Sequence, residues 1–425
     1  MAVDLAVTNA RLAGGRDNIT ILVNDGRIAD IGVGLTTEAG KVIDAGGHLV
    51  TPPFIDSHFH LDSTLSLGQP RLNQSGTLLE GIQLWGELKP DLTADAILER
   101  TRKLISWSVA RGTLAIRSHV DVSDPSLINV EALLQLRKEM APYVDIQLVA
   151  FPQDGYYRSP HSIPTLAKAL EMGVDVVGGI PHFERTMEDG RRSVRALCEI
   201  AAERGLLVDM HCDETDDPMS RHVETLACET SRLGLHGRVA GSHLTSMHSM
   251  DNYYVSKLIP LMVEAELTAV ANPLINIAIQ GRHDTYPKRR GMTRVKELLA
   301  AGLNVAFGHD CVMDPWYSLG SHDMLEVAHM ALHVGHMTGQ DEMQAMFDCV
   351  TTHAAKALHL DGYGLEKGCT ADFVILQAKD PVEALRLKPP RLYVVRRGKV
   401  IAQCPPQVSL VELEGTVREV DFSAQ

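Results

Sequence analysis

No two cysteines in this 425-residue chain form a C-x-x-C pair. The seven present (Cys198, Cys212, Cys228, Cys311, Cys349, Cys369 and Cys404) are scattered and odd in number. A disulfide framework is therefore a poor source of stability, and a reducing compartment fits better. A basic block is also missing, and the net charge is -14. This argues against nucleic-acid binding by phosphate neutralisation. The amino terminus, MAVDLAVTNARLAGG, lacks the cationic start and apolar run of a signal peptide. No apolar stretch approaches the ~20 residues that cross a bilayer. These absences point to a cytoplasmic protein that acts on a small, neutral or weakly basic molecule.

What is present is a long chain with 45% hydrophobic residues, enough for a large buried core. The first fifty residues and the last fifty share one texture. LAVTNARL, NITILVNDGRIADIG and KVIDAGGHLVTP near the start read as short strands with Gly and Asp-Gly turns. ADFVILQAKD, RLYVVRRGKVIAQ and VSLVELEG near the end read the same way. The expectation is a small β-sandwich domain built from 1–52 and 369–425, flanking a catalytic domain over 53–368.

That middle region alternates strand and helix. Eight apolar segments stand out, from PPFIDSHF to LNVAFGHDCV. Helix-like stretches such as RRSVRALCEIAAERG lie between them, several ending in a C-cap glycine. The pattern predicts an α/β fold, a (β/α)8 barrel. An open doubly wound sheet is the alternative, but its Gly-rich phosphate turn is missing. Nearly every segment ends in polar residues: His58 and His60, His119 and Asp121, Gln153, His182, His211 and Glu214, His243, Asn272, His309 and Asp310. In a barrel these ends converge on one mouth, where active sites sit.

His58-Phe59-His60 carries the strongest chemistry. Residues two apart on a strand share a side, so both imidazoles can face one ion. With His211 and Asp310 they make a ligand set suited to zinc or ferrous iron. Such an ion lowers the pKa of bound water to ~7. His243, on the next strand end, could contact the bound water instead of the ion. Glu214, three residues after His211, is placed as a proton shuttle. Asp213 competes for that role, but alternation puts it on the other side.

PPFIDSHFHLDST, DVVGGIPHFE, DMHCDETDD, GSHLTSMHS, NPLINIAIQGRHDTYPKRRG and GHDCVMDPWY resemble the bacterial cytosine deaminase family of the amidohydrolase superfamily. The likeness runs over almost the whole chain. It implies one divalent ion, Fe2+ or Zn2+, held by His58, His60, His211 and Asp310. It also implies Glu214 as the acid serving the ring nitrogen and His243 as the partner of the attacking water. Gln153 falls on the amide that reads the ring carbonyl and its neighbouring nitrogen. Trp316 falls on an aromatic residue of the base pocket, and Leu78 is taken as a further base contact. The family tends toward symmetric homo-oligomers.

One position departs from the resemblance. The family carries two adjacent aspartates where this chain has Asp310-Cys311. The second carboxylate approaches C5 of the base, so a thiol there favours a 5-methyl group and points to 5-methylcytosine beside cytosine. Cys311 as a further metal ligand or a redox thiol stays open. So do three rival functions. A cyclic-amide hydrolase would usually need a lysine at the fourth strand end, and VDVVGGIPHF has none. The other two are deamination of another heterocycle, such as isoguanine or creatinine, and non-catalytic binding.

Overall fold

The computed structural model describes residues 2–423. β1 (Val3–Leu12), β2 (Arg16–Asn24), β3 (Arg27–Val33), β4 (Ala39–Asp44) and β5 (Leu49–Thr51) open the chain. The barrel strands follow: β6 (Phe54–Phe59), β7 (Thr113–Asp121), β8 (Asp145–Phe151), β9 (Val176–Gly179), β10 (Leu207–Cys212), β11 (Val239–His243), β12 (Thr268–Ala271) and β13 (Asn304–Phe307). β14 (Phe373–Leu376), β15 (Arg391–Arg396), β16 (Lys399–Gln403), β17 (Leu410–Leu413) and β18 (Thr416–Glu419) close it.

The two ends of the chain do meet. One sheet runs β16-β15-β14-β5-β1-β2-β3, with β4 added beside β1. Its two halves join through the Arg11–Leu49 pair. Alternate residues, including Leu5, Val7, Ile21, Val23, Phe373, Ile375 and Val395, point into a shared core. This is the period-2 burial that a sheet with one wet face requires. The last hairpin differs from expectation. VSLVELEG supplies β17, which among the described residues pairs only with β18. Pro405 and Pro406 follow β16, and proline cannot donate to a ladder, so the sheet cannot continue into β17.

The barrel strands lie in sequence order, β6 through β13, all parallel. Every residue of β7 is buried, as both-sided packing in a parallel sheet demands. Helices cover the outside. Met187–Arg204 shows why: Thr186 Oγ1 accepts from Asp189 N at its start, and Gly205 ends it in the left-handed conformation. Its buried Val194, Leu197, Cys198 and Ala201 recur at helical spacing and face the strands. Among the described residues, no helix is long and apolar enough to cross a membrane.

The interior is layered. At the bottom, Ile55, Ala115, Ala240, Val270 and Ala306 meet the helix Thr352–Leu358 through Ala354, Ala355 and Leu358. Above them lies a buried ion pair, Arg117 Nη1 to Asp209 Oδ2 at 2.9 Å. Arg117 also donates to Gln147 Oε1 and to the Ala357 carbonyl, both at 2.7 Å, so its charge is fully served. The third layer is the group of histidines at the mouth.

Between β6 and β7 the chain makes two helices, α1 (Leu78–Leu88) and α2 (Ala94–Ala110). Each starts on a threonine cap: Thr77 accepts from Glu80 N, and Thr93 accepts from Ala96 N. Leu78, Leu79 and Ile82 of α1 lie over the mouth and line its cavity.

Candidate active site

Six of the eight polar strand ends line one cavity, whereas His119, Asp121, Asn272 and His309 lie outside its lining. A cavity of about 510 Å³ is lined by His60, Gln153, His182, His211, Glu214, His243, Asp310 and Cys311, with Leu78 and Trp316 on its wall. All the residues singled out from the sequence as site candidates line it except His58. That side chain is fully buried beneath the others, its ring centroid 4.5 Å from that of His211.

Asp310 sits at the centre. His60 Nε2 is 3.3 Å and His58 Nε2 3.5 Å from its Oδ1, and His243 Nε2 is 3.8 Å from its Oδ2. His60 Nε2 and His211 Nε2 stand 3.0 Å apart. His58, His211, His243 and Asp310 offer one ligand atom each within 4.8 Å of one another. His243 belongs to this close group, whereas His60, proposed as a ligand, does not, although its Nε2 approaches both Asp310 and His211. Nδ1 of His58 and Nδ1 of His211 are buried with no hydrogen-bond partner among the described residues. Buried imidazoles without partners are costly, and a divalent cation would take up such lone pairs. The donor set of nitrogens and one carboxylate suits that cation.

Electrostatics agree. Burial drives His60 down to about 4, and drives His211 and His243 well below the ordinary histidine value. These rings are neutral at pH 7, the form that ligates a metal. Burial alone would raise Asp310, but His58, His243 and His60 hold it well below the usual carboxylate range. Glu214 goes the other way. Its own burial and the Asp310 charge push it well above the ordinary carboxylate value, so it holds its proton more tightly than a free acid. Its Oε1 lies 3.2 Å from His243 Nδ1. Asp213 is excluded from the cavity. It turns back to accept from His222, Ser220 and Val223.

Cys311 is buried beside Asp310, with Sγ 3.7 Å from Oδ1. Burial and the neighbouring Asp310 and Asp314 push the thiol well above its ordinary pKa. A neutral thiol is neither a good metal ligand nor a good nucleophile. It packs in an apolar cluster with Ile275 and Ile279, against which Leu78, Trp316 and Tyr317 lie.

The sequence profile of the amidohydrolase family matches residues 41–403. This chain belongs to the amidohydrolase family. A solved 5-methylcytosine deaminase from Klebsiella pneumoniae, liganded with 5-fluorocytosine, is 44% identical. It superposes with a TM-score of 0.92, over 95% of this chain and 98% of that one. A pterin deaminase of Rhizobium rhizogenes is 30% identical over 91% of this chain and 88% of its own length. N-isopropylammelide isopropylaminohydrolase from Burkholderia multivorans is 28% identical, with a TM-score of 0.83 and coverage of 94% and 98%.

In this amidohydrolase, Asn276 escaped the sequence reading, and Asn272 and His119, read only as polar strand ends, gain definite neighbours. Asn276 Nδ2 donates to His243 Nδ1 at 3.0 Å, and Asn272 Nδ2 lies 3.3 Å from the same atom. The signal was available: two asparagines one helical turn apart around the N-terminal Pro273. The ring of His119 lies 4.0 Å from that of His58, centre to centre and tilted by 36°, and neither of its nitrogens has a hydrogen-bond partner among the described residues. With Asp209 it forms a second close group. Arg117 already neutralises Asp209, so that group has no free negative charge for a cation. His182 lines the cavity, whereas His322 is a buried structural joint between Ser108 and Asp56.

Proposed function

We propose that this amidohydrolase deaminates a free cytosine-type base, accepting 5-methylcytosine beside cytosine. One observation carries the reading. Glu214, an acid whose proton is held more tightly than usual, and the neutral thiol of Cys311 line the same cavity as the His/Asp group. The likeness to the 5-methylcytosine deaminase supports it.

In the reaction, the ring carbon that carries the amine gains the oxygen of water and loses ammonia. Thymine forms from 5-methylcytosine, and uracil from cytosine. His58, His60, His211 and Asp310 would hold one Fe2+ or Zn2+ per chain, which supplies Lewis acidity and hydroxide near neutral pH. Gln153 presents a donor and an acceptor to the ring carbonyl and the adjacent nitrogen. Leu78 and Trp316 bound the flat faces of the slot. Glu214 delivers a proton to the ring nitrogen beside the reacting carbon. The attacking water gives up two protons: His243 and Asp310 pass one to the departing amine, and the other restores the proton that Glu214 gave to the ring. Glu214 and His243 are close enough to share a proton between turnovers.

Cys311 sets the fit at C5. A methyl group buried against the thiol, Ile275 and Ile279 gains ~0.8 kcal/mol, about fourfold in binding. A carboxylate in its place would have to lose water to make the same contact.

The test is kcat/KM for ammonia release from 5-methylcytosine and cytosine side by side, with isoguanine and creatinine as further substrates and metal content measured on the same preparation. The expected result is one Fe2+ or Zn2+ per chain and 5-methylcytosine turned over at least as efficiently as cytosine. A strong preference for cytosine overturns the role given to Cys311. Turnover of isoguanine or creatinine with neither pyrimidine active overturns the substrate class.

A further inference from the structure

Trp316 forms one wall of the cavity, and helix α1 stands directly behind it. The contact depends on Gly81. This residue is buried in the interior of α1, where glycine is disfavoured relative to alanine. A Cβ at Gly81 would lie 2.2 Å from Trp316 Cδ1, 2.6 Å from Nε1 and 2.7 Å from Cγ. No real carbon tolerates such distances, so either the helix or the indole would have to move.

The helix is the less mobile of the two. Trp85, one turn on from Gly81, is buried, and its Nε1 donates to Asp121 Oδ2 at 2.8 Å. Lys89 Nζ, just past the helix end, also reaches Asp121 Oδ2 at 2.8 Å and Asp154 Oδ2 at 2.8 Å. The indole of Trp316 is half-buried, with the cavity on its free side. Across that side stands His60, ring centres 6.4 Å apart and planes tilted by 31°.

We infer that Gly81 is a positioning residue that sets the width of the base slot by letting the indole of Trp316 recede against α1. The inference rests on the proposed function in one respect: the occupant of the slot is a flat base. A side chain at 81 pushes the indole toward His60 and narrows the slot. The polar groups that carry the chemistry stay in place, so KM moves more than kcat.

Helix α1 carries its own control. Gly86 lies in the same helix, and a Cβ there meets nothing within 4 Å. Gly81→Ala and Gly86→Ala gain similar helix propensity, and only the first drives a new Cβ into the indole. The experiment measures kcat, KM and Tm on the metal-loaded enzyme for wild type, both single variants, Trp316→Ala and Gly81→Ala/Trp316→Ala. Gly86→Ala is expected to raise Tm and leave KM unchanged. Gly81→Ala is expected to lower Tm, raise KM for both pyrimidines about tenfold and change kcat less. The double variant is expected to match Trp316→Ala alone, since position 81 has nothing to displace once the indole is gone. Identical KM and Tm for Gly81→Ala and Gly86→Ala would overturn the inference. If Gly81→Ala does not fold, the double variant decides: failure to fold there, with Trp316→Ala folded, overturns it. If wild type deaminates neither pyrimidine, the functional reading falls while the opposed Tm shifts still judge the contact.

Discussion

Two carboxyl groups stand in one cavity and are driven to opposite states. Burial and the charge of Asp310 raise Glu214 well above its ordinary value. Asp310 is ringed by imidazoles and stays ionised. Such a split assigns donor and acceptor roles without reference to any relative. Cys311 adds a third state, an uncharged and weakly polar surface. Cys311→Asp would place a further carboxylate between Asp310 and Asp314, where Asp314 is already raised to about 7 by burial. The new side chain would present a polar oxygen where the thiol presents a soft apolar face. We expect kcat/KM for 5-methylcytosine relative to cytosine to fall about tenfold, combining the lost methyl burial with the desolvation of the acid. The ratio of the two efficiencies, measured in one preparation, checks it, because any general loss of activity cancels. At this scale the sequence was readable where chemistry is local. Glu214 lies three residues from His211, and Cys311 is next to Asp310. Gly81 was not readable, because its neighbour in space is 235 residues away.

The barrel closes at its weakest join. The strand order runs β6 to β13, and between those two ends the only ladder contact among the described residues is the single Phe59–Asp310 bridge. Three candidate ligands, His58, His60 and Asp310, sit on this seam. Asp310 N donates to the His58 carbonyl at 2.8 Å, and His60 N donates to the Asp310 carbonyl at 3.1 Å. Asp310 adopts a left-handed φ of 68°, an unusual conformation for a residue with a side chain. Gly308 lets the strands close up, since a Cβ there would be 2.5 Å from His58 Cβ. Asp56 supplies what the ladder lacks. Its Oδ1 accepts from His58 N at 3.1 Å and His309 N at 3.0 Å, one residue on each strand end, and its Oδ2 meets His322 Nε2 at 2.9 Å. Asp56→Ala would leave two buried N–H groups unpaired, a loss of about 2–4 kcal/mol. It would also loosen the ligands' backbone, with metal affinity falling about 10- to 100-fold. Asp56→Asn keeps one acceptor and should lose less of both. Chelator titration and denaturant unfolding of the metal-free forms check this order, and equal affinity in all three proteins would refute it. The strands themselves were legible, because a parallel strand buried on both faces reads as an apolar run with a polar end. The seam was not, because it depends on how the first strand meets the last, and no local periodicity records that meeting.

Across the whole molecule, the layers set a pH response. The alanine-rich base and the Arg117–Asp209 pair are sealed from water, and above them the barrel mouth concentrates histidines. Burial brings His60, His182 and His309 down to about 4, and His119, His211 and His243 well below their ordinary value. A histidine whose folded pKa is depressed contributes stability that is present above the unfolded value of ~6.5 and lost as pH falls through the folded one. For the three that stop near 4, the loss spans pH 6.5 to 4. Asp62 and Asp314 oppose this. Burial raises both to about 7, so their contribution is present below the ordinary carboxylate value and fades as pH rises through 7. Glu214, raised in the same way, joins them, and the six histidines still outnumber these three acids of the mouth, so acidification should destabilise the chain. A bound cation competes with protons for the same ring nitrogens and stabilises the folded state by mass action. The metal-free protein is therefore expected to unfold at a higher pH than the loaded protein, with more than one proton taken up. Circular dichroism across pH 7 to 4, with and without chelator, would show two separated transitions. Coincident transitions would mean that the histidines of the mouth do not share a cation, and the His/Asp group would then have to be read as structural.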